Sequence, residues 1–190
     1  MRTIFYILLL QSLVTGSVIA GPLEDGHDAF DKKDFETAFK LWQPLAEQDD
    51  GDAQYNLGLL YLKGNGVKKD EREALKWFTF AGNQGIVDAQ YNAGVMFYAG
   101  QSVYPDYKSA IEWWQLAADA GHANAQNNLA IMHAYATGTK KDPQKALALW
   151  TKAAEQGHPD AIHSLISAYT GAIAGFPEDL EKANYWTRKK

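Results

Sequence analysis

The sequence contains no cysteine. Disulfide bonds, thiolate metal sites, cysteine nucleophiles and a lipid-bearing N-terminal cysteine are therefore excluded. Basic residues are in the minority, with 18 Lys and Arg against 23 Asp and Glu, and no basic block could follow a nucleic-acid backbone. We expect a chain held together by packing alone, with no nucleic acid among its partners.

Motifs that carry catalysis are also missing. No serine lies in a Ser-x-x-Lys or Gly-x-Ser-x-Gly pattern, and no glycine loop has the lysine that cradles phosphate. His122 and His158 stand 36 residues apart, too far for one metal ion, and His158 with His163 makes only two ligands. The sequence predicts no catalytic residue, no cofactor and no metal site, and it places His122 and His158 in exposed turns.

The N-terminus has the pattern of a signal peptide over residues 1–20. Arg2 supplies a positive start, an apolar run follows from Ile4 to Val14, and small residues suit cleavage after Ala20. An uncleaved anchor over Ile4–Ala20 is the alternative, although 17 residues is the lower limit for a span. Loss of Arg2 makes the formal charge of −5 one unit more negative, which disfavours anionic membranes. We predict an exported, periplasmic or secreted protein with no stable membrane insertion after cleavage.

A period of 36 residues organises the rest of the chain. Three glycines follow it, and several pairs of large apolar residues recur with it. The aspartates and alanines that keep this step are Asp34, Asp70, Asp106, Asp142, Ala38, Ala74, Ala110 and Ala146. In the last unit the pattern arrives one residue late, which predicts one inserted residue in the loop 171–177. Such a period indicates a solenoid of helix pairs.

Within one unit the pattern predicts a first helix over 53–63, a loop over 64–69 and a second helix over 71–84. Asp70 is placed to cap the second helix, with Glu73 at the position of a reciprocal capping partner. Glycines at 85, 121 and 157 fit the left-handed position after a helix. The second helix has one apolar side, which assigns the tryptophans, Trp113 among them, to the core. The first helix is apolar nearly all round and therefore needs burial on two faces.

Four segments carry a resemblance to a known family. Ala53–Gly58, Gly64–Asp70, Ala74–Phe78 and Ala153–Gly157 resemble the Sel1-like repeat closely. The resemblance implies an all-α fold, a right-handed α-solenoid of antiparallel helix pairs. It divides the chain into a short tetratricopeptide-like leading pair, 21–51, and four Sel1-like units, about 52–87, 88–123, 124–159 and 160–190.

The resemblance also implies a function. Members mostly serve as adaptors in signalling, envelope processes and host contact. A cysteine-rich branch is associated with β-lactam binding or hydrolysis, and this chain departs from that branch because it has no cysteine. It also has Ala130 and Ile166 where other units have Gly58 and Gly94, so we expect looser helix contact toward the C-terminus.

The side of the first helices turned away from the second helices is the candidate binding surface, because aromatic, small apolar and polar side chains alternate there. Its predicted contact residues are Tyr55, Asn56, Leu59, Lys63, Tyr91, Asn92, Val95, Asn127, Asn128, Ile131, Tyr135, His163 and Ser167. The asparagines at 56, 92 and 128 recur at one position. They either bond the backbone of a bound peptide or satisfy carbonyls of their own unit. In the alternative interpretation, array curvature closes this face and makes it internal packing.

These features favour an exported adaptor that binds a partner protein or peptide in a groove lined by the first helices. The alternative is an envelope hydrolase or ligand-binding protein acting on β-lactam-like or peptidoglycan fragments.

Overall fold

A computed structural model describes residues 21–101 and 104–189. The predicted signal peptide, residues 1–20, lies outside the described residues. Within the described ranges all regular structure is helical, and none of these helices is long and apolar enough to cross a membrane. The helices are α1 Pro22–Asp31, α2 Phe35–Ala46, α3 Gly51–Lys63, α4 Glu71–Asn83, α5 Val87–Ala99, α6 Tyr107–Asp119, α7 Ala123–Tyr135, α8 Pro143–Glu155, α9 Pro159–Tyr169 and α10 Leu180–Lys189.

Each helix packs mainly against the one before it and the one after it in the chain. The helices therefore form successive pairs, α1 with α2 through α9 with α10, and each pair stacks on the next. Contacts restricted to neighbours define a solenoid. The prediction of an all-helical repeat array is confirmed.

The aspartates at the predicted caps begin the second helices. The Asp70 carboxylate accepts hydrogen bonds from the backbone N–H groups of Arg72 and Glu73, at 2.9 and 3.1 Å. Asp34, Asp106 and Asp142 cap α2, α6 and α8 in the same way. Hydrogen bonds from Ser109 hold the pKa of Asp106 below its usual value. The aspartates thus act as helix caps, as predicted.

At the helix ends, one further prediction is confirmed and one is wrong. The glycines at 85, 121 and 157 have φ values of 90°, 95° and 80°, the predicted left-handed conformation. The reciprocal cap by Glu73 is wrong, because the Asp70 N–H donates to the Tyr61 carbonyl and the Glu73 carboxylate pairs with Lys76.

The last unit is irregular as the shifted pattern predicts. Asp179 caps α10 by accepting from the Lys182 N–H at 3.0 Å. The helix α9 has 11 residues, whereas α3, α5 and α7 have 13. The loop between α9 and α10 is therefore lengthened both by the inserted residue and by the earlier end of α9.

Large rings on the second helices form the core against small residues on the first helices. A Cβ atom at Gly58 would lie 2.6 Å from the Phe78 ring, and one at Gly94 would lie 2.5 Å from the Trp114 ring. Since real Cβ atoms do not approach so closely, glycine is required at both positions. The Trp114 indole also donates to the Tyr91 carbonyl, at 3.2 Å.

The assignment of Trp113 to the fully buried core is wrong. Trp113 is only partly buried and packs against the outside of the core cluster that contains Phe78 and Met96. The adjacent Trp114 is 2% exposed. Successive residues of a helix point about 100° apart, so only one of the two rings can face α5.

A recurring glutamine joins successive units. Gln54, Gln90 and Gln126 are buried, and their amide nitrogens donate to carbonyls at the end of the preceding second helix, at 2.9 to 3.1 Å. The amides of Gln84 and Gln156 in turn donate to Gln54 and Gln126, both at 2.8 Å. These bonds tie the first four pairs to one another, whereas Ile162 occupies the equivalent position in α9.

Candidate partner-binding groove

The stacked first helices α3, α5, α7 and α9 present the face on which the contact residues are predicted. Most of these residues are partly or well exposed: Tyr55, Leu59, Lys63, Tyr91, Asn92, Val95, Asn128, Ile131, Tyr135, His163 and Ser167. Asn56 and Asn127 lie beneath the surface instead, at 9% and 5% exposure. Asn127 stands where other units have Tyr55 and Tyr91, and its shorter side chain does not extend as far. We call the exposed set the groove face.

A cavity of about 220 Å³ opens on the groove face between α5 and α7. The predicted residues Tyr91, Val95, Asn128 and Ile131 line it together. Tyr98, Trp114 and Met132 complete the lining and are absent from the predicted set. The structure thus brings the middle of the predicted face together around one apolar depression.

A signal for the missed residues exists in the sequence. Tyr98 is equivalent to Leu62 of the preceding unit, which the helical wheel places on the side opposite the main apolar arc of the first helix. Apolar residues at this position are part of the reason why the first helices are apolar nearly all round. Trp114 belongs to the core and is 2% exposed, yet its ring still reaches the cavity. The Tyr98 and Trp114 rings are 5.4 Å apart, which makes them one aromatic wall.

One of the recurrent asparagines, Asn92, affects the tyrosine of the preceding unit. Burial raises the pKa of the Tyr55 phenol, the Asp88 carboxylate raises it further, and a hydrogen bond with Asn92 opposes the rise. Asn128 and Tyr91 occupy the equivalent positions one unit later, and both line the cavity. The glutamines two positions before the asparagines bond carbonyls of the preceding second helix, and both interpretations of the asparagines stay predictions.

The turn histidines are caps with a second bond to the neighbouring unit. His122 Nδ1 accepts from the Ala125 N–H at 3.2 Å, and His122 Nε2 lies 3.3 Å from the Asp88 carboxylate. The imidazole ring also stacks on Tyr91, with ring centroids 4.5 Å apart. The placement in turns is right, but the His122 side chain is only 15% exposed because it is packed into this contact.

His158 repeats the arrangement, with its Nδ1 accepting from Ala161 and its Nε2 facing Asn124 at 2.9 Å. Because Nδ1 accepts in both rings, the proton of each neutral imidazole sits on Nε2. Within residues 21–101 and 104–189, no group of three or more His, Asp or Glu side chains is placed to hold a metal ion.

The two edges of the groove face differ in charge. The edge where a second helix turns into the next first helix comprises segments 47–52, 83–88, 119–124 and 155–160, which contain no Lys or Arg. We call it the turn edge; its carboxylates are Glu47, Asp49, Asp50, Asp52, Asp88, Asp119, Glu155 and Asp160. The opposite edge is mixed in charge: two of its loops carry lysine pairs, at 68–69 and 140–141, and the loops 100–106 and 170–179 contain no Lys or Arg.

Stacked antiparallel helix pairs, a periodic glutamine tie and a shared face of first helices define a helical-repeat protein. The Sel1 repeat profile matches residues 23–50, 51–86, 87–122, 123–158 and 168–189. The chain belongs to the Sel1 repeat family. Its first match covers the leading helix pair. Proteins of this family generally mediate protein–protein interactions and generally act as non-catalytic scaffolds.

Solved structures share the fold over most of the chain. A Sel1 repeat protein from Oxalobacter formigenes is 32% identical, with a TM-score of 0.79, covering 88% of this chain and 68% of that one. A protective antigen of uropathogenic Escherichia coli that displays an SLR fold is 26% identical, with a TM-score of 0.83. That match covers 88% of this chain and 37% of the antigen.

A plant protein shares a shorter segment. The ERAD-associated E3 ubiquitin-protein ligase component HRD3B of Arabidopsis thaliana is 48% identical over 42 residues. The matched segment covers 22% of this chain and 7% of the plant protein. This chain therefore spans a small part of that relative's length.

Proposed function

We propose that the protein is an exported adaptor that holds an extended segment of a partner protein along the groove face. The observation that supports this most directly is the cavity between α5 and α7, which is lined by partly exposed rings and aliphatic side chains. Aromatic anchors in a concave, desolvated site are typical of protein-binding hot spots. General family behaviour as an interaction scaffold agrees with this function.

The chemistry of this cavity favours a protein partner over the hydrolase alternative. Its lining includes one carboxamide, two phenols and one indole, and the indole N–H is already used by the Tyr91 carbonyl. Nitrocefin turnover by the purified protein, lost on boiling, would support the hydrolase instead.

The binding face is tested by truncating two of its rings. A partner recovered with the protein from the exported fraction should bind the Tyr91→Ala, Tyr135→Ala variant more weakly by roughly 1–3 kcal/mol. Tyr135 is 59% exposed and Tyr91 is partly buried, so the loss of stability should be smaller than the loss in affinity. The measurements are calorimetric titration and thermal melting on the same samples.

The matched control is Lys76→Ala with Glu112→Ala, which changes two exposed residues on the second helices α4 and α6. Equal loss of binding in this control would move the site to the second helices. Collapse of the melting transition in the tyrosine variant would assign the face to internal packing.

Export is tested separately by mass spectrometry of the protein from the periplasm and the medium. The proposal expects a chain that begins near Gly21. Recovery of the intact N-terminus in the membrane fraction would support the uncleaved anchor.

A further inference from the structure

We infer that the segment held by the groove face carries a bulky apolar side chain that fills the cavity between α5 and α7, followed closely by Lys or Arg residues that face the turn edge. The inference rests on the proposed function and adds the chemistry of the partner. Two independent observations support it: the size and lining of the cavity, and the sign of the charge along one edge.

The cavity accepts one bulky apolar side chain. A dry apolar cavity of about 150 Å³ holds a benzene ring, so about 220 Å³ has room for one aromatic or branched aliphatic side chain. Val95, Ile131 and Met132 supply aliphatic contacts, and the rings of Tyr98 and Trp114 form a wall. A charged side chain placed there would lose its hydration without gaining a charged partner, because the lining has no ionised group.

The carboxamide of Asn128 suits the main chain that carries this side chain. A carboxamide has both donor and acceptor atoms, so it can pair with the N–H and the carbonyl of one extended residue. Asn128 is partly exposed at the cavity wall, where such a backbone would pass. An isolated apolar ligand would leave this amide without a partner from the ligand.

The turn edge selects the charge of the neighbouring residues. Asp88 lies one helical turn before Tyr91 on α5, and its side chain is 65% exposed. The basic group nearest to it is His122, whose neutral ring donates from Nε2 and leaves the carboxylate charge in place. With eight carboxylates and no Lys or Arg along the turn edge, a cationic segment is attracted and an anionic one is repelled.

The test begins with a phage-displayed library of random linear peptides. Peptides are selected for binding to the protein purified from cells in its naturally processed form. We expect enriched peptides to combine a bulky apolar residue with Lys or Arg a few residues away. One enriched peptide is then synthesised, and its affinity is measured for wild type and for variants that fill the cavity or invert the edge charge.

Ile131→Phe fills the cavity and should weaken binding of that peptide about tenfold or more. Leu116→Phe makes the same kind of change at an exposed position on α6 and should leave affinity unchanged. Asp88→Lys should weaken binding about three- to tenfold at low salt, with a smaller effect at high salt. Glu112→Lys, on the exposed outer surface, is its control. Melting curves show that each variant folds, and Val95→Phe replaces Ile131→Phe if that one does not.

The outcomes separate the inference from the proposed function. The inference is overturned if the enriched peptides lack an apolar residue, carry acidic flanks or bind the Ile131→Phe variant as tightly as wild type. If those peptides still lose binding in the Tyr91→Ala, Tyr135→Ala variant, the proposed groove is retained. Peptides indifferent to every groove variant, or no enrichment at all, overturn both. A concentration-dependent dimer that Ile131→Phe dissolves would identify the occupant as a second copy of the chain and also overturn the inference.

Discussion

The four Sel1-like units that follow the leading helix pair are numbered as repeats one to four, so residues 88–123 are the second repeat. In the second repeat, Gly94 lets the Trp114 indole lie against α5 and donate to the Tyr91 carbonyl. In the third repeat, Ala130 carries a methyl group at the equivalent position, and the Nε1 of the buried Trp150 has no partner among the described residues. The two rings occupy the same position in successive units, and only the Trp114 N–H has a hydrogen-bond partner. The expectation of looser helix contact is not supported at Ala130, because α7 packs against α8 as extensively as α5 packs against α6.

The third repeat departs from the second in further ways. Its buried Asn127 Oδ1 and both ring nitrogens of His133 also have no partner in the described part of the chain. Ala136 has φ of 58° where the first two units place glycine. Each buried unsatisfied group costs about 1–3 kcal/mol. We therefore expect the solenoid to open first in its third repeat, whose helix α7 supplies one wall of the cavity.

The largest expected effect comes from exchanging the small residues of the two repeats. Gly94→Ala would place a Cβ atom 2.5 Å from the Trp114 ring, displace it and break its hydrogen bond. Overpacking and the lost bond outweigh the better helix propensity of alanine, so we expect a net loss of about 1–3 kcal/mol in the free energy of unfolding.

Ala130→Gly is the reciprocal change, and we expect it to cost less than about 1 kcal/mol because closer approach of Trp150 offsets the poorer propensity. Urea denaturation measures both variants. Equal costs in the two repeats would contradict the comparison.

His133→Phe is expected to stabilise the protein by about 1–2 kcal/mol near neutral pH, since it removes a buried ring with two unsatisfied nitrogens. The equivalent residue in the second repeat is Phe97. Burial lowers the pKa of His133, the Lys145 charge adds to this, and Asp142 opposes it. The unfolded chain therefore binds a proton more readily than the folded one.

It follows that the contribution of His133 makes stability fall as pH decreases below about 6.5. His133→Phe should flatten this part of the profile, measured by urea denaturation at about pH 5 and about pH 7.5. Phe97→His serves as the converse variant and should introduce the same acid sensitivity. An unchanged pH profile in His133→Phe would show that this ring is not the source.

Ala136→Gly is expected to stabilise the third repeat by about 0.5–1 kcal/mol. Ala136 follows α7 in the left-handed conformation, which glycine adopts without the steric cost of a Cβ atom. Thermal melting detects the gain. Gly100→Ala, at the equivalent position after α5, should lose more than this, because a Cβ atom there would also lie 2.6 Å from the Pro105 ring, and a gain there would count against the explanation.

The smallest expected effect lies in the glutamine ties. Gln54 and Gln126 each accept from a glutamine 30 residues later, but the equivalent position for Gln90 is Ala120, and Gln90 Oε1 has no partner within the described residues. Ala120→Gln should supply the missing donor and stabilise by about 0.5–1 kcal/mol. Ala120→Glu is the control, because a carboxylate cannot donate this bond. Equal melting temperatures for the two variants would show that the bond does not form.

Much of the fold follows from local sequence patterns. Asp34, Asp70, Asp106 and Asp142 recur with one period, and capping depends on residues two or three positions away, so the second helices could be placed without tertiary information. The late arrival of Asp179 similarly located the irregular last unit. The glutamine ties were missed although they recur with the same period, because their partners lie 8 and 30 residues away.

The candidate site was predicted in part. The helical wheel placed Tyr91, Val95 and Ile131 on one face, the recurrence of asparagine added Asn128, and all four line the cavity. It could not show that Asn127 lies beneath that face or that Trp114 reaches the cavity from the second helix. Both depend on the depth of neighbouring side chains in adjacent units, which a single-helix projection does not contain.

The sequence by itself determined the repeat, the helix limits and the absence of cysteine chemistry, since these depend on short-range capping, periodicity and composition. The tertiary structure alone decided that Trp114 rather than Trp113 is buried, that His133 lacks partners, and where an apolar cavity opens. These features arise where three helices from two units meet. Trp114 and Trp150 occupy the same position in successive units, yet only Trp114 has a partner for its N–H, because hydrogen bonding depends on the packing of neighbouring units as well as on the repeat pattern.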